Sequence, residues 1–379
     1  MKTVNILTFI RASNYGAMLQ AYALSRTLSE LNFTAQFIDV GLDAPTSLDY
    51  LKRPGSLLIK LFYRFSSLRM SQLRTRDTSH YQENNVFEEF RRTFLNRSDS
   101  VSSLATFEQD YGEPYAYIVG SDQVWAIDPI FYNANYLLDF AGLNAKKIAY
   151  APSFGKDKLE IYQRATFVKH LKRFDALSIR ESSSLPEMKR LGFSSVQKVL
   201  DPTLLLQNYD EIMDDSVLPD RPYLLVYTLS ASEVLTEQTE EMVRALEKRL
   251  NMAAVFITAD TIDEFSKANG QIHPTVGQFV SLFANADFVL TNSFHGTVFS
   301  AIFRRNFIAI PRDELTGGQN LRMIDLLHDF GISDRYLSVC DPDAALDLYL
   351  LSSIDYQTFA DNHSQMRQTS VDFLKQALA

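Results

Sequence analysis

The sequence predicts an α/β protein built from two Rossmann-like domains in tandem, and three observations support that prediction. Short β-rich runs alternate with segments whose apolar residues recur at helical spacing, a pattern typical of parallel sheets covered by helices. The chain has 379 residues, which suits two domains of about 150 to 200 residues each. An acidic, proline-punctuated stretch, DPTLLLQNYDEIMDDSVLPDRP, separates two such alternating series.

The first series covers residues 1–207 and begins with a βαβ unit. In that unit, TVNILTFI and AQFIDV flank the helical segment GAMLQAYALSRTLSEL. Further β-rich runs follow, with the helix-like LEIYQRATFVKHLKRF among them: AYIVGSD, KKIAYAPSF, ALSIRE and VQKVLDP. We expect these strands to form one parallel sheet.

The second series covers residues 208–345 and restarts the same alternation. Its expected strands are YLLVYTLS, AAVFIT, DFVLTN and NFIAIP. Its expected helices begin near residue 232, in TVGQFVSLFANA, after Ser293 and in NLRMIDLLHDFG. Residues 346–379 end in TSVDFLKQALA, which predicts a C-terminal helix that can cross back to the first domain.

Composition excludes several classes of protein. No apolar run approaches the roughly 18 to 20 residues of a membrane span, and VNILTFI is better explained as a first strand than as a signal peptide. The one cysteine, Cys340, excludes an internal disulfide and fits a reducing compartment, so we expect a cytoplasmic protein. A net charge of -9 argues against a general nucleic-acid binder.

Residues 51–76 depart from this acidic balance. The segment LKRPGSLLIKLFYRFSSLRMSQLRTR carries only basic charges, and its leucine and phenylalanine residues fall near one helical face. One interpretation is a basic amphipathic helix that docks the protein peripherally at the inner membrane face. The other interpretation is a buried helix with a basic outer face.

The turn TNSFHG follows an expected strand and opens an expected helix. In open parallel sheets, ligands bind at the carboxyl ends of strands. Asn292 or Ser293 can cap the helix, and the amides of residues 294–297 then suit a phosphate or carboxylate. Gly296 would let a ligand approach closely, and His295 would lie beside the anion. Alternatively, His295 is a helix-start residue hydrogen-bonded to its own loop.

The corresponding turn of the first domain, RASNYGAMLQ, places Asn14, Tyr15 and Gly16 where they would line a ligand cleft. It lacks the GxGxxG fingerprint, which disfavours a nicotinamide cofactor. Asn14 could instead serve only as a helix cap.

Two further turns carry candidate residues. IVGSDQVW places Asp122 just past a strand, where it could bind a sugar hydroxyl, and Trp125 could stack on a pyranose or belong to the core. SIRES places Arg180 at another strand end, where its guanidinium could hold a carboxylate bidentately. A salt bridge to Glu181 or to a neighbour is the alternative for Arg180.

Taken together, these motifs resemble those of polysaccharide pyruvyl transferases, in the same order and spacing from residue 3 to about residue 340. They are NYGAMLQAYAL, VGSDQVW, YAPSFG, SIRES, LDPTLLL, TNSFHGTVFSAIF and NLRMIDLLHDFGISDRYL. The resemblance implies a glycosyltransferase-B-like fold and phosphoenolpyruvate as co-substrate, with no cofactor. It also implies pyruvate placed as a cyclic ketal on a sugar, of galactose type, in a lipid-linked oligosaccharide precursor of a capsule or exopolysaccharide.

The resemblance also implies a donor site in the second domain. The family's donor-binding Arg-Leu-His triplet aligns with Ser293, Phe294 and His295, so the histidine is kept and the arginine is replaced. Nearby arginines are then expected to take its place: Arg304, Arg305 or Arg312.

On the same basis, Arg180 resembles the family's other donor-binding arginine, and Asp122 lies where the family has an acidic active-site residue. We expect His295 to act as general acid and Asp122 as base. The expected acceptor side comprises Asn14, Tyr15, Gly16, Ser121 and Trp125.

Ketal formation from an enol phosphate requires no metal, and the sequence has no HExxH, CxxC or clustered aspartates at ligand spacing. We therefore expect no metal site. Two other functions remain open at this point: a nucleotide-sugar glycosyltransferase on the same scaffold, and a catalytically inactive binding homologue.

Overall fold

A computed structural model describes most of the chain and divides it into two compact units. The described residues are 1–39, 85–101, 104, 107–126, 134–142, 144–155, 158–159, 161–229, 233–258, 271–312, 319–351 and 353–379. Unit 1 comprises Met1–Ala12, Ala17–Leu205 and Arg367–Ala379, and unit 2 comprises Ser13–Gly16 and Leu206–Met366. The basic segment 51–76 lies outside the described residues.

Unit 1 is built on a parallel sheet. Its described strands are β1 (Lys2–Leu7), β2 (Phe33–Phe37), β3 (Ala116–Gly120), β4 (Lys147–Tyr150), β5 (Ala176–Ile179) and β6 (Gln197–Lys198). Their order is β2-β1-β3-β4-β5-β6, and every neighbouring pair is parallel. Every residue of β3 and β4 is buried, as expected for strands covered on both faces.

Helices cover this sheet and complete its core. The described helices of unit 1 are α1 (Tyr15–Glu30), which belongs to this unit from Ala17 onward, α2 (Asn85–Phe94), α3 (Phe107–Tyr111), α4 (Ile161–Leu171) and α5 (Leu185–Arg190). Short 3₁₀ helices lie at Ala134–Leu137, Ser182–Ser184 and Pro202–Leu204. A large part of the core gathers around Trp125, Phe154 and Phe167.

Unit 2 repeats the architecture on a smaller parallel sheet. Its described strands are β7 (Tyr223–Thr228), β8 (Ala253–Thr258), β9 (Phe288–Thr291) and β10 (Asn306–Ala309), in the order β10-β9-β7-β8. Its helices are α6 (Glu233–Leu250), α7 (Val276–Asn285), α8 (Phe294–Ile302), α9 (Gln319–Asp329) and α10 (Pro342–Leu351), with a 3₁₀ turn at Ser333–Arg335. A capping box between Thr275 and Gln278 begins α7.

The C-terminal helix α11 (Tyr356–Leu378) is 23 residues long and is shared between the units. Its residues up to Met366 group with unit 2, and those from Arg367 onward group with unit 1. In unit 1, Ser370 Oγ accepts a hydrogen bond from the Leu200 amide at 2.9 Å. The predicted return of this helix to the first domain is therefore confirmed.

The predicted fold class is also confirmed, because parallel sheets with intervening helices occur in both units. Each strand expected from the sequence is present, and its ends lie no more than four residues from the predicted ends. No helix within the described ranges is both long enough and apolar enough to cross a bilayer.

Candidate functional site

In unit 2 the candidate site is the turn between β9 and α8. Ser293 is the N-cap of α8: its Oγ accepts from the Gly296 amide at 3.3 Å, and its carbonyl accepts from the Thr297 amide at 2.9 Å. The sequence-based expectation that all four amides of residues 294–297 would be available to a ligand is therefore wrong for Gly296 and Thr297. Asn292 does not cap; its side chain instead holds the backbone of Leu229, after β7, at 2.7 and 3.0 Å.

Gly296 has a different role from the one its position suggested. A Cβ at Gly296 would lie 2.2 Å from Thr291 Oγ1 and 3.1 Å from the Tyr227 ring. The missing side chain therefore lets the first turn of α8 pack directly on β9 and β7, and this packing explains the glycine without a ligand.

His295 follows the cap on the first turn of α8 and is 7 % exposed. Its imidazole meets the Phe294 ring edge-on, with 5.2 Å between ring centroids. On its other side the imidazole lies against the backbone of Gly16. His295 thus has a fixed place at the carboxyl-terminal edge of the sheet, where parallel α/β proteins bind ligands.

The three arginines expected to replace the family arginine do not lie together. Arg304 and Arg305 follow the carboxyl end of α8, which has nine residues and is therefore about 14 Å long. They lie at the opposite end of that helix from His295. Arg312 follows β10 at the same sheet edge as Ser293, and its backbone is held by Asn320 at 2.8 and 2.9 Å.

A fourth arginine, Arg322 on α9, lies beside the turn and was missed by the sequence reasoning. Its guanidinium carbon is 5.8 Å from the centroid of the Phe294 ring, and the residue is 8 % exposed. A guanidinium on an aromatic face is a cation–π arrangement that keeps the charge in a fixed place. The motif NLRMIDLL contains Arg322, but one arginine in an amphipathic helix looks like a surface residue in sequence.

The segment Asn14–Tyr15–Gly16 groups with unit 2, although its sequence position suggests the first domain. Tyr15 explains why: its ring stacks on Phe279 with centroids 4.3 Å apart, and its hydroxyl donates to the Pro274 carbonyl at 2.8 Å. Tyr15 is only 2 % exposed, so its ring is a packing group of unit 2. Asn14 is partly exposed beside it.

In unit 1, Asp122 follows β3 with a φ of 66°, in the left-handed region that few residues other than glycine adopt. Ala151, which follows β4, also has a positive φ of 53°. Such conformations concentrate at functional sites. Asp122 is partly exposed, and its Oδ1 accepts from the Gln123 amide at 2.9 Å.

Arg180 lies in a buried ion cluster that the structure joins from three chain segments. Its Nε donates to Glu181 at 2.9 Å and its Nη1 donates to Asp201 Oδ2 at 2.8 Å. Burial acts to lower the pKa of Arg180, but the carboxylates of Glu181, Asp201 and Asp122 outweigh it and raise that pKa above its ordinary value. This is the salt-bridge alternative for Arg180; donor binding would require exchange of a partner, and stays a prediction.

Asp201 is the second residue that the sequence reasoning missed. Its Oδ2 also accepts from Ser121 Oγ at 2.7 Å, and its Oδ1 accepts from the amide and hydroxyl of Thr203 at 3.0 and 2.7 Å. Asp201 therefore connects the ends of β3, β5 and β6. The sequence shows Asp201 within the motif LDPTLLL, but only folding brings it together with Ser121 and Arg180.

Trp125 is a core residue of unit 1. It is 1 % exposed, packs against Phe154 and Phe167, and donates from Nε1 to the Tyr136 carbonyl at 3.0 Å. Its ring is therefore not available to stack on a pyranose, and the core alternative holds. Across the described ranges, no three His, Cys, Asp or Glu side chains group closely enough to hold a metal ion.

Solved structures with the same architecture define the class. S. aureus MnaA in a co-structure with UDP has a TM-score of 0.56 at 10% identity, covering 99% of this chain and 96% of that one. UDP-GlcNAc 2-epimerase from Methanocaldococcus jannaschii has 0.53 at 12%, covering 98% and 99%. Arabidopsis thaliana UGT89C1, complexed with UDP-L-rhamnose, has 0.52 at 11%, covering 98% of each. The fold is thus glycosyltransferase-B-like, shared by epimerases and glycosyltransferases.

The family follows from the sequence. The polysaccharide pyruvyl transferase family model matches residues 14–314, a range that includes the turn TNSFHG, and the chain belongs to that family. No curated protein matches the chain. The predicted family is therefore confirmed, over a range that holds six of the seven motifs; the seventh, NLRMIDLLHDFGISDRYL, follows it.

Proposed function

We propose that the protein transfers pyruvate from phosphoenolpyruvate to a sugar of a polysaccharide precursor, as a cyclic ketal. The observation that carries the proposal is His295, held on the first turn of α8 inside the region that matches a pyruvyl transferase family. A role in polysaccharide pyruvylation follows from the family. The donor, the ketal and the galactose-type sugar are our proposal.

In the proposed reaction, His295 gives a proton to the methylene carbon of the enol phosphate. The neighbouring carbon becomes cationic, and one sugar hydroxyl attacks it. Phosphate then departs, and a second hydroxyl of the same sugar attacks the same carbon to close the ketal. Of the two hydroxyl protons released, one restores His295 and the other leaves with phosphate. Asp122 is the proposed base for the attacking hydroxyl.

The donor's anionic groups need cations, because Ser293 stands where the family has arginine. Arg312 and Arg322 are the arginines we propose for this role. Both lie at the edge of unit 2 where the parallel strands of its sheet end, and Arg322 packs on Phe294 next to His295. The positive end of the α8 dipole, on the same turn, also favours an anion.

The variants Arg312→Gln and Arg322→Gln test whether these arginines bind the donor. Loss of one charge-assisted hydrogen bond costs about 1.5 to 3 kcal/mol, so each variant should raise the donor KM by roughly 10-fold or more. Arg304→Gln, at the far end of α8, is the matched control and should leave donor KM unchanged. Normal donor KM in both Arg312 and Arg322 variants would remove these residues from the donor site.

The acceptor we propose is a lipid-linked oligosaccharide, approached at the inner membrane face through residues 51–76. The support is the charge of that segment, which is basic in an acidic chain. Replacing Lys60, Arg64 and Arg69 by glutamate should weaken binding to anionic liposomes and turnover of a lipid-linked acceptor, while a soluble galactoside is still used. Equal loss with both acceptors would contradict membrane docking.

The decisive experiment is incubation of the purified protein with phosphoenolpyruvate and a galactosyl lipid, with detection of the pyruvylated product and released phosphate. His295→Gln should fold, bind phosphoenolpyruvate within a few-fold and turn over about 10² to 10⁴ more slowly. His328→Gln, on the exposed face of α9, is the matched control. Near-normal turnover with reduced thermal stability in His295→Gln would instead assign His295 a structural role.

The same assay separates the two other functions. A nucleotide-sugar glycosyltransferase would consume a UDP-sugar and ignore phosphoenolpyruvate, and an inactive homologue would consume neither. The likeness to UDP-binding structures concerns the fold, and fold does not determine the donor.

A further inference from the structure

The first turn of α1 belongs to unit 2 rather than to unit 1, and there it contacts His295. Tyr15 and Gly16 are the first two residues of α1 and group with unit 2, whereas the helix from Ala17 onward groups with unit 1. Tyr15 is held by stacking on Phe279 and by its hydrogen bond to the Pro274 carbonyl. Gly16 follows it directly.

Gly16 has no room for a side chain, and the obstacle is the imidazole. A Cβ at Gly16 would lie 2.0 Å from His295 Nδ1, 2.4 Å from Cγ and 2.5 Å from Cε1. All three nearest atoms belong to that ring, so a methyl group would overlap the ring itself and displace it. The ring has little space to yield, because His295 is 7 % exposed.

The backbone gives no other reason for glycine here. Gly16 lies within the helix and is not among the residues with positive φ. Alanine is favoured over glycine at helical positions, so local propensity alone would select against Gly16. The opposite preference comes from His295.

Tyr227 links the two chain segments that carry Gly16 and His295. Tyr227 meets the ring of Tyr15 edge-on, with 6.3 Å between centroids, and also lies against Gly296 in the first turn of α8. These contacts therefore hold Gly16 against the imidazole of His295. We propose that Gly16 is a positioning residue for His295, and that Tyr15 anchors it in unit 2. The catalytic meaning of this placement rests on the proposed function; the packing does not.

A stability cycle tests the packing without any activity assay. Gly16→Ala should lower the melting temperature in the wild-type background. In the His295→Ala background the ring is absent, so Gly16→Ala should be neutral or should raise the melting temperature. Gly142→Ala is the control, because a Cβ there would meet no atom closer than 3.7 Å. Equal destabilisation by Gly16→Ala in both backgrounds would overturn the inference.

The cycle also covers a variant that does not fold. If Gly16→Ala fails to fold, recovery of folding by the added His295→Ala supports the inference, and failure of the double variant to recover overturns it.

A second readout follows the imidazole itself. The His295 resonance can be assigned by its loss in His295→Gln, since the chain has six histidines. Gly16→Ala should shift that resonance, because the added methyl group displaces the ring, while the resonances of the other histidines stay in place. An unchanged His295 resonance would show that Gly16 does not set the environment of the ring.

Activity then links the placement to the proposed reaction. A displacement of about 1 Å in a reacting group can cost roughly 10²-fold in rate, so Gly16→Ala should reduce kcat at least 10-fold with donor KM changed less than a few-fold. Wild-type kcat in Gly16→Ala would overturn the positioning role. Absence of pyruvyl transfer in the wild type would instead reject the proposed function and leave the stability cycle as it stands.

Discussion

The buried carboxylate of Asp201 allows a quantitative test of how unit 1 is held together. Asp201→Asn keeps the shape of the side chain and removes its charge. The wild-type carboxylate accepts four hydrogen bonds, from Ser121, from Arg180 and twice from Thr203. An asparagine has one acceptor oxygen, so whichever way its amide is turned, at least one former donor faces another donor.

The expected loss follows from these contacts. Asp201 is 1 % exposed, and removal of one partner from a buried ion pair costs about 3 to 5 kcal/mol. Arg180 keeps Glu181 as a partner, so the lower part of that range is expected. For a unit of roughly 150 to 250 residues, 3 kcal/mol corresponds to a fall in Tm of about 6 to 12 °C.

The single tryptophan makes this loss measurable in unit 1 alone. Trp125 lies in the core of unit 1, so its fluorescence during urea unfolding follows that unit. Asp372→Asn is the matched control, since Asp372 belongs to unit 1 and forms an exposed pair with Lys375 at 3.6 Å. The control should cost less than about 1 kcal/mol. A loss for Asp201→Asn no larger than for the control would refute the reasoning.

Three further predictions concern other contacts. Tyr15→Phe removes the hydrogen bond to the loop before α7 and should lower the free energy of unfolding by about 1 kcal/mol, measured by urea titration; unchanged stability would contradict that bond. Lysine lacks the planar guanidinium group, so Arg180→Lys cannot pair with both carboxylates and should lower Tm. A role of Arg180 in donor binding predicts, in addition, that this variant raises the donor KM. Burial lowers the pKa of His170 in the folded protein. As pH falls below about 6.5, His170 is therefore protonated in the unfolded chain before it is protonated in the folded protein, and the stability that it contributes above that pH is lost. His170→Gln should therefore flatten the fall in Tm between about pH 7 and pH 5; an equally steep fall would exclude His170.

The sequence predicts the fold well because its signals are local. The strands AYIVG and FVLT are almost entirely apolar and every residue in them is buried, as expected for central strands of parallel sheets. The turn TNSFHG is equally readable, since a serine cap and a following helix lie within a few residues.

The failures concern contacts between distant segments. Tyr15 is assigned to unit 2 by a partner 259 residues away, and nothing near Tyr15 in sequence indicates that partner. The distance of Arg304 and Arg305 from His295 is readable in the sequence, because His295 lies on the first turn of the predicted helix and both arginines follow its end. The position of Arg322 is not readable in this way, because helical periodicity does not distinguish an arginine that packs on Phe294 from one in solvent.

The division of the chain between the two units has a consequence for the order of folding during synthesis. Unit 1 includes Arg367–Ala379, whose Arg367 donates to the Leu205 carbonyl across 162 positions of sequence. Tyr115 likewise donates to the Leu378 carbonyl, 263 positions away. A ribosome therefore makes all of Leu206–Met366 before the segment of unit 1 that ends at Leu205 receives its last helix. Contacts of such separation form slowly, so the sheet of unit 1 waits, partly uncovered, while unit 2 is translated, and chaperones have their longest access to it in that interval.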